Sequence, residues 1–267
     1  MAANAIRVGI GGWTFEPWRG TFYPPGLAQA RELEYASRHV TAIEINGTFY
    51  GSQKPESFRR WAAESPDGFV FSLKGPRFTT NRRVLAEAGP SIERFFASGV
   101  TELGAKLGPV LWQFAPTKAF HAEDFEAFLA LLPRNVDGLA VRHAVEVRHE
   151  SFCTPAFVAL LRRYGTPVVY ADSDKYPAIA DVTGDFVYAR LQRAREEEPT
   201  GYAPDVLDAW AERARAWGAG GEPADLPRVD EGTPAVVQAR DCFIFMINGA
   251  KVRAPAAAMA LIERLGR

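Results

Sequence analysis

The chain has 267 residues, 47% hydrophobic and 24% charged, a globular composition that excludes disordered and fibrous classes. Lysine and arginine number 31 against 32 aspartate and glutamate, so the formal net charge of −1 provides no global basic field for nucleic acid or membrane lipid. No apolar run approaches the roughly 18 residues of a membrane span, "MAANAIRVGIGG" lacks a basic region followed by a long apolar one, and Cys153 and Cys242 form no disulfide or thiolate-metal pattern, which together suggest a cytoplasmic protein.

Short β-branched or aromatic runs alternate with helical patterns along the whole chain, which predicts βα repeats and a parallel sheet. Strands are expected at 6–10, 41–46, 69–74, 110–114, 145–148, 167–172, 186–190 and 242–248. Between them lie helix signatures. In "TPAFVALLRRYG", Thr154 suits the cap, Pro155 the first turn and Gly165 the exit; "KPESFRRWAAES" reads similarly from Pro55. Only "SDKYPAIADVTG" separates the sixth and seventh strands, so an atypical sixth helix of a turn or two is expected there. One clear helix, "APDVLDAWAERARAW", follows the seventh strand, and then a Gly/Pro-rich tail gives a long loop before the eighth. Eight repeats in about 250 residues is the size of a single-domain (β/α)8 TIM barrel. The alternative is a doubly wound open sheet.

The polar residues of these strands collect at their carboxyl ends: Glu44 and Asn46, Lys74, Gln113, Glu146 and Arg148, Asp172, Arg190 and Asn248. In a barrel those ends converge on one mouth, where barrel enzymes place their chemistry. Successive strand side chains alternate faces, so "EIN" and "EVR" each aim two polar groups to one side with an apolar residue opposite. Three carboxylates and three cations make the expected mouth formally neutral. With so few histidines nearby, neither a metal nor a cofactor is expected. Arg148 and Arg190 offer planar forks suited to carboxylate or phosphate. Trp13, Tyr23 and Tyr50 belong to an aromatic first loop and its neighbour, which can stack on a ligand or form a packed lid. His143 is read as part of a connection.

"GGWTFEPWRGTFYPPGL", "IEINGTFYG", "FVFSLKGPR", "GPVLWQFAP", "EVRHESF" and "FVYARLQ" stand in the order seen in domain-of-unknown-function family 72, the YecE-like proteins, and the sequence resembles that family over nearly its whole length, 1–267. The resemblance implies a TIM barrel related in shape to sugar isomerases, with no established activity to carry over. Its characteristic positions include Trp13, Glu44, Phe49, Lys74, Glu146 and Arg190 of this chain. Where the family often has histidine, Asn81 and Gln192 stand here; an amide neither exchanges a proton near neutrality nor replaces an imidazole as metal ligand.

The leading expectation is an enzyme acting on a small, polar, anionic sugar- or nucleotide-like molecule by hydrolysis, lyase chemistry or isomerisation. Glu146 serves as general acid or base, Lys74 stabilises developing negative charge and Asp172 completes the catalytic set. Arg148 and Arg190 bind the anion, Glu44 and Asn46 orient hydroxyls, and Gln113, Asn248 and the aromatics line the site. A non-catalytic small-molecule sensor using the same mouth is the alternative. Nucleic-acid processing runs against the neutral charge.

Overall fold

The structure is a computed structural model that describes residues 5–266. Eight strands, β1 Ile6–Gly11, β2 Ala42–Ile45, β3 Val70–Lys74, β4 Leu107–Gln113, β5 His143–Glu146, β6 Val169–Asp172, β7 Phe186–Leu191 and β8 Asp241–Met246, pair in parallel. Their order is β5-β4-β3-β2-β1-β8-β7-β6. The two outer strands meet through one parallel bridge, Val145 to Val168, with the Val145 amide donating to the Pro167 carbonyl at 3.0 Å. The result is an α/β TIM barrel. Its β5–β6 junction has far fewer bonds than the other seven.

Helices α1 Glu32–Ala36, α2 Gly47–Tyr50, α3 Pro55–Glu64, α4 Arg77–Thr80, α5 Gly89–Phe96, α6 Ala122–Ala130, α7 Pro155–Tyr164, α8 Pro204–Gly218 and α9 Ala254–Arg264 fill the connections. In α7 the Thr154 hydroxyl accepts from the Phe157 amide at 3.3 Å, Pro155 opens the first turn and Gly165 ends the helix at φ 60°, as the sequence predicts. Two expectations need correction. No helix forms between β6 and β7; that segment is tied down by side chains, with the Asp181 carboxylate accepting from the amides of Val229 (2.7 Å) and Asp230 (2.9 Å), and Thr183 from that of Val168. And His143 opens β5 rather than lying in a connection. It is buried, and accepts from the Trp112 indole at 3.1 Å.

The long loop before β8 is as expected, and Arg240 holds it by donating to the carbonyls of Gly184, Gly220, Gln238 and Val236. No helix among the described residues is long and apolar enough to cross a membrane.

Alternation along the strands makes two cores. Outward residues such as Ile43, Phe71 and Trp112 pack against the helices, while Ala42, Leu111, Tyr188 and Phe245 fill the barrel. Gly9 belongs to the inner set: a Cβ there would lie 2.1 Å from the Ala42 carbonyl oxygen, so only hydrogen fits. The filling changes along the axis. At the amino end Phe186 and Phe243 close the bore beneath the Arg142 guanidinium, 5.0 Å from each ring centroid and paired with Asp241 at 2.8 Å. Toward the carboxyl end, charged residues take over.

Candidate functional site

The carboxyl end of the bore has a floor of ion pairs. Glu44 and Glu146 are fully buried and Arg190 is 2% exposed. The Arg190 guanidinium grips Glu44 with two donors, Nε to Oε2 and Nη2 to Oε1, both at 3.0 Å, and gives Nη1 to Glu146 Oε2. Glu146 also accepts from Gln113 Nε2 at 2.9 Å and from Arg148 Nε at 2.8 Å. Beneath Glu44, the Tyr188 hydroxyl donates to Oε2 at 2.7 Å and lies 2.8 Å from the Ser72 hydroxyl. Such a set is tolerable without water only because nearly every donor and acceptor is met. Burial pushes the Glu146 carboxyl up, but Arg190 and then Arg148 outweigh it and hold the group well below the usual carboxylate range. Burial likewise works against the Arg190 cation, and Glu146 and Glu44 reverse that, raising its pKa above the ordinary value.

Above this floor opens a cavity of about 790 Å³, lined by Trp13, Asn46, Tyr50, Lys74, Gln113, Arg148 and Asn248, with Arg190 at its base. The size suits a metabolite. Lys74 is 6% exposed, and its ammonium lies 4.0 Å from the centroid of the Phe49 ring. No carboxylate among the described residues lies within 4.0 Å of it. Burial, and then the Arg190 charge, bring its pKa down to about 8, against the opposing pull of Glu44 and Glu146. Lys251, in the loop after β8, also faces the cavity, with Nζ 4.6 Å from the Phe15 centroid; burial lowers its pKa too. Arg148 stacks 4.1 Å over the Tyr176 ring and donates Nη1 to its hydroxyl at 3.3 Å.

The geometry therefore brings together most of the residues expected at the mouth, but in two tiers. Glu44 and Glu146 lie under the cavity rather than in its wall. Asp172 is a correction. Val169 faces the bore, so Tyr170 and Asp172 face out; the Tyr170 ring packs against Trp210 and Trp217 of α8, and Asp172 pairs with Arg193 at 3.4 Å. Tyr23 also lies apart, buried, with its hydroxyl donating to the Trp13 carbonyl, so it braces the loop that presents Trp13. Tyr50 stands on the rim at 70% exposure. With Asp172 removed and Lys251 added, the mouth is no longer charge-balanced. The two floor carboxylates match Arg190 and Arg148, leaving two amines over.

Several contributors escaped the sequence reading. Tyr188 and Ser72 were accessible to it, since each precedes an inward polar residue, Arg190 and Lys74, by two positions. Lys251 and Tyr176 sit in loops, where no periodicity marks them. Asn81, one of the two departures from the family pattern, lines the cavity, whereas Gln192 does not, and its buried Nε2 has no partner. No group of three or more His, Cys, Asp or Glu among the described residues is placed to share a metal ion.

Comparison with known proteins places this architecture. The chain is 27% identical over 157 residues to UPF0759 protein YunF of Bacillus subtilis, a match covering 57% of this chain and 54% of that protein. It is 27% identical over 150 residues to UPF0759 protein YecE of Escherichia coli K12, covering 55% and 50%. The chain thus spans about half the length of the curated relatives it matches. Among solved structures, a DUF72 family protein of Thermotoga maritima superposes with a TM-score of 0.75 at 22% identity, over 98% of this chain and 100% of that one. A xylose isomerase-like TIM barrel fused to a dioxygenase shares the fold alone, with a TM-score of 0.51 at 16% identity over 95% of this chain and 41% of that one. The family model described as "Protein of unknown function DUF72" matches residues 7–267, and the chain belongs to that family.

Proposed function

We propose that this protein is an enzyme that binds a small anionic metabolite, of the sugar phosphate or phosphorylated nucleoside class, in the cavity at the carboxyl ends of the strands. One observation carries the reading: the wall holds two amines, Lys74 and Lys251, with no carboxylate within ion-pair distance among the described residues, above a floor whose own charges are matched. A cavity with unmatched positive charge attracts an anion and orients it. Arg148 and Lys251 hold the anionic group, while Asn46, Gln113 and Asn248 meet hydroxyls. Trp13 offers an aromatic face. Arg190, whose three kinds of donor nitrogen already serve Glu44 and Glu146, shapes the floor instead of gripping ligand. Glu146, held so acidic, is a poor base, and the reactive group over the floor is Lys74, whose pKa of about 8 lies near the working range.

Thermal unfolding with inorganic phosphate, sulfate and a panel of sugar phosphates tests this. Phosphate esters are expected to raise the unfolding midpoint of the wild type. Arg148→Met and Lys251→Met should each weaken the effect by about tenfold or more, the value of a charge-assisted hydrogen bond. Lack of stabilisation by any anion, or equal stabilisation of both variants, overturns the proposal. Binding without turnover of any stabilising ester, followed by NMR, replaces the enzyme with a sensor.

A further inference from the structure

The geometry points to Lys74 as a carbonyl-capturing amine: we propose that its Nζ condenses with an aldehyde or ketone group of the anionic substrate to form an imine. The inference rests on the anion-binding reading above and adds the class of reacting group.

Three features combine in Lys74 alone; Lys251 shares the cavity and the missing counter-ion but sits in a loop and is only partly buried. It ends β3 and is buried, so the backbone behind it is fixed by strand pairing on both sides, to Glu44's strand and to β4. Its Nζ makes no hydrogen bond or ion pair among the described residues and has the Phe49 ring as its close neighbour. Lys106, by contrast, is pinned by the carbonyls of Ala62 and Ser65, and Lys118 by those of Arg82 and Arg83. And it opens on the same cavity as Lys251 and Arg148, which hold charge of the opposite sign to the substrate's.

An amine that only balanced charge would sit against a carboxylate. Both nearby carboxylates are taken by guanidinium groups, and the charges that face Lys74, those of Arg190 and Arg148 against those of Glu44 and Glu146, leave the ammonium disfavoured by burial. Only the neutral amine has a lone pair to give. With a pKa of about 8, roughly a tenth of Lys74 is neutral at pH 7, against well under a thousandth for an ordinary lysine. In the reaction, the lone pair forms a carbon–nitrogen bond and the carbonyl π pair moves to oxygen. Both amine hydrogens then leave with that oxygen as water. No electrons are gained or lost, and no other reactant is needed. Protonated, the imine withdraws electrons from the adjacent carbon, which suits lyase or isomerase chemistry beside a carbonyl.

Glycolaldehyde phosphate and unphosphorylated glycolaldehyde, each with cyanoborohydride at pH 7, are the probes, and peptide mass mapping reads the adducts. Exposed Lys54 and Lys175 serve as internal references. Lys74 is expected to be modified at least about tenfold faster than either reference, as its neutral fraction requires. Inorganic phosphate should slow its reaction with the phosphorylated probe, and Lys74→Arg should lose the fast adduct while remaining folded. Modification of Lys74 no faster than of Lys54 and Lys175 with both probes overturns the inference. If phosphate still stabilises the protein in that case, the anion-site reading survives; if Lys74 reacts fast but no anion protects it, the imine stands and the anion site falls.

Discussion

The floor and the wall of the cavity hold the same kinds of charge under opposite conditions. Beneath the cavity, Arg190 meets Glu44 and Glu146 so completely that little remains to offer a ligand. At the end of β3, next to the strand of Glu44, Lys74 is nearly as buried and has no counter-ion among the described residues. Buried charge is costly either way, and pairing decides what the cost secures. Where it is paired, it fixes one arrangement of strands. Where it is left unpaired, it stores a reactive or ligand-hungry group at the expense of stability. Sequence type and exposure alone do not separate the two tiers; the partner list does.

The largest effect should come from breaking the floor. Arg190→Met strands two buried carboxylates without their shared cation, and urea unfolding should show a loss of about 3 to 5 kcal/mol, typical when one partner of a buried pair is removed. A loss below about 1 kcal/mol would mean that the floor relaxes easily and that Arg190 is available to ligand after all.

The opposite sign is expected at Lys74. Lys74→Met removes a desolvated ammonium and should stabilise the protein by about 1 to 2 kcal/mol at pH 7. The pH dependence follows from the same shift. The folded pKa of about 8 lies below the unfolded value near 10.4, so between them the unfolded chain binds more protons. Stability of the wild type relative to Lys74→Met should therefore be lowest below pH 8 and rise as pH climbs from about 8 toward 10.4. Denaturant midpoints of the two proteins across that range give the comparison directly. A flat difference would show that the amine keeps its ordinary proton affinity and has a counter-ion.

The smallest effect sharpens the boundary of the site. Asp172 pairs with a half-exposed Arg193, and burial pushes its carboxyl up. Asp172→Asn should change stability by no more than about 1 kcal/mol and leave phosphate-ester affinity unaltered in calorimetric titration. Weakened binding would return Asp172 to the mouth.

What could be read in advance followed the strength of local pattern. Barrel architecture was legible because strand and helix signals alternate along the chain, and Thr154, Pro155 and Gly165 punctuate one repeat so clearly. Glu44, Asn46, Glu146 and Arg148 were legible because apolar neighbours fix which face is polar. In "VVYAD" both faces are apolar, so parity is hidden; Asp172 shares the outward face of Tyr170, whose ring packs on the tryptophans of α8, and pairs with Arg193. Pairing was not legible at all. Whether Arg190 meets a ligand or Glu44, 146 residues away in sequence, depends on barrel closure, which no window of sequence contains.

The junction of β5 and β6 gives the floor a second meaning. Hydrogen bonding there comes down to the Val145 bridge, so the ring is nearly slit along one side. Glu146 stands on β5 and Arg190 on β7, the second strand beyond the slit, while Glu44 anchors the same guanidinium to β2 across the bore. The ion pairs act as tie rods drawn across the inside of a split hoop: they hold together walls that the backbone leaves almost unlaced, and so keep the rim above them, with Lys74 and Arg148, at a fixed spacing.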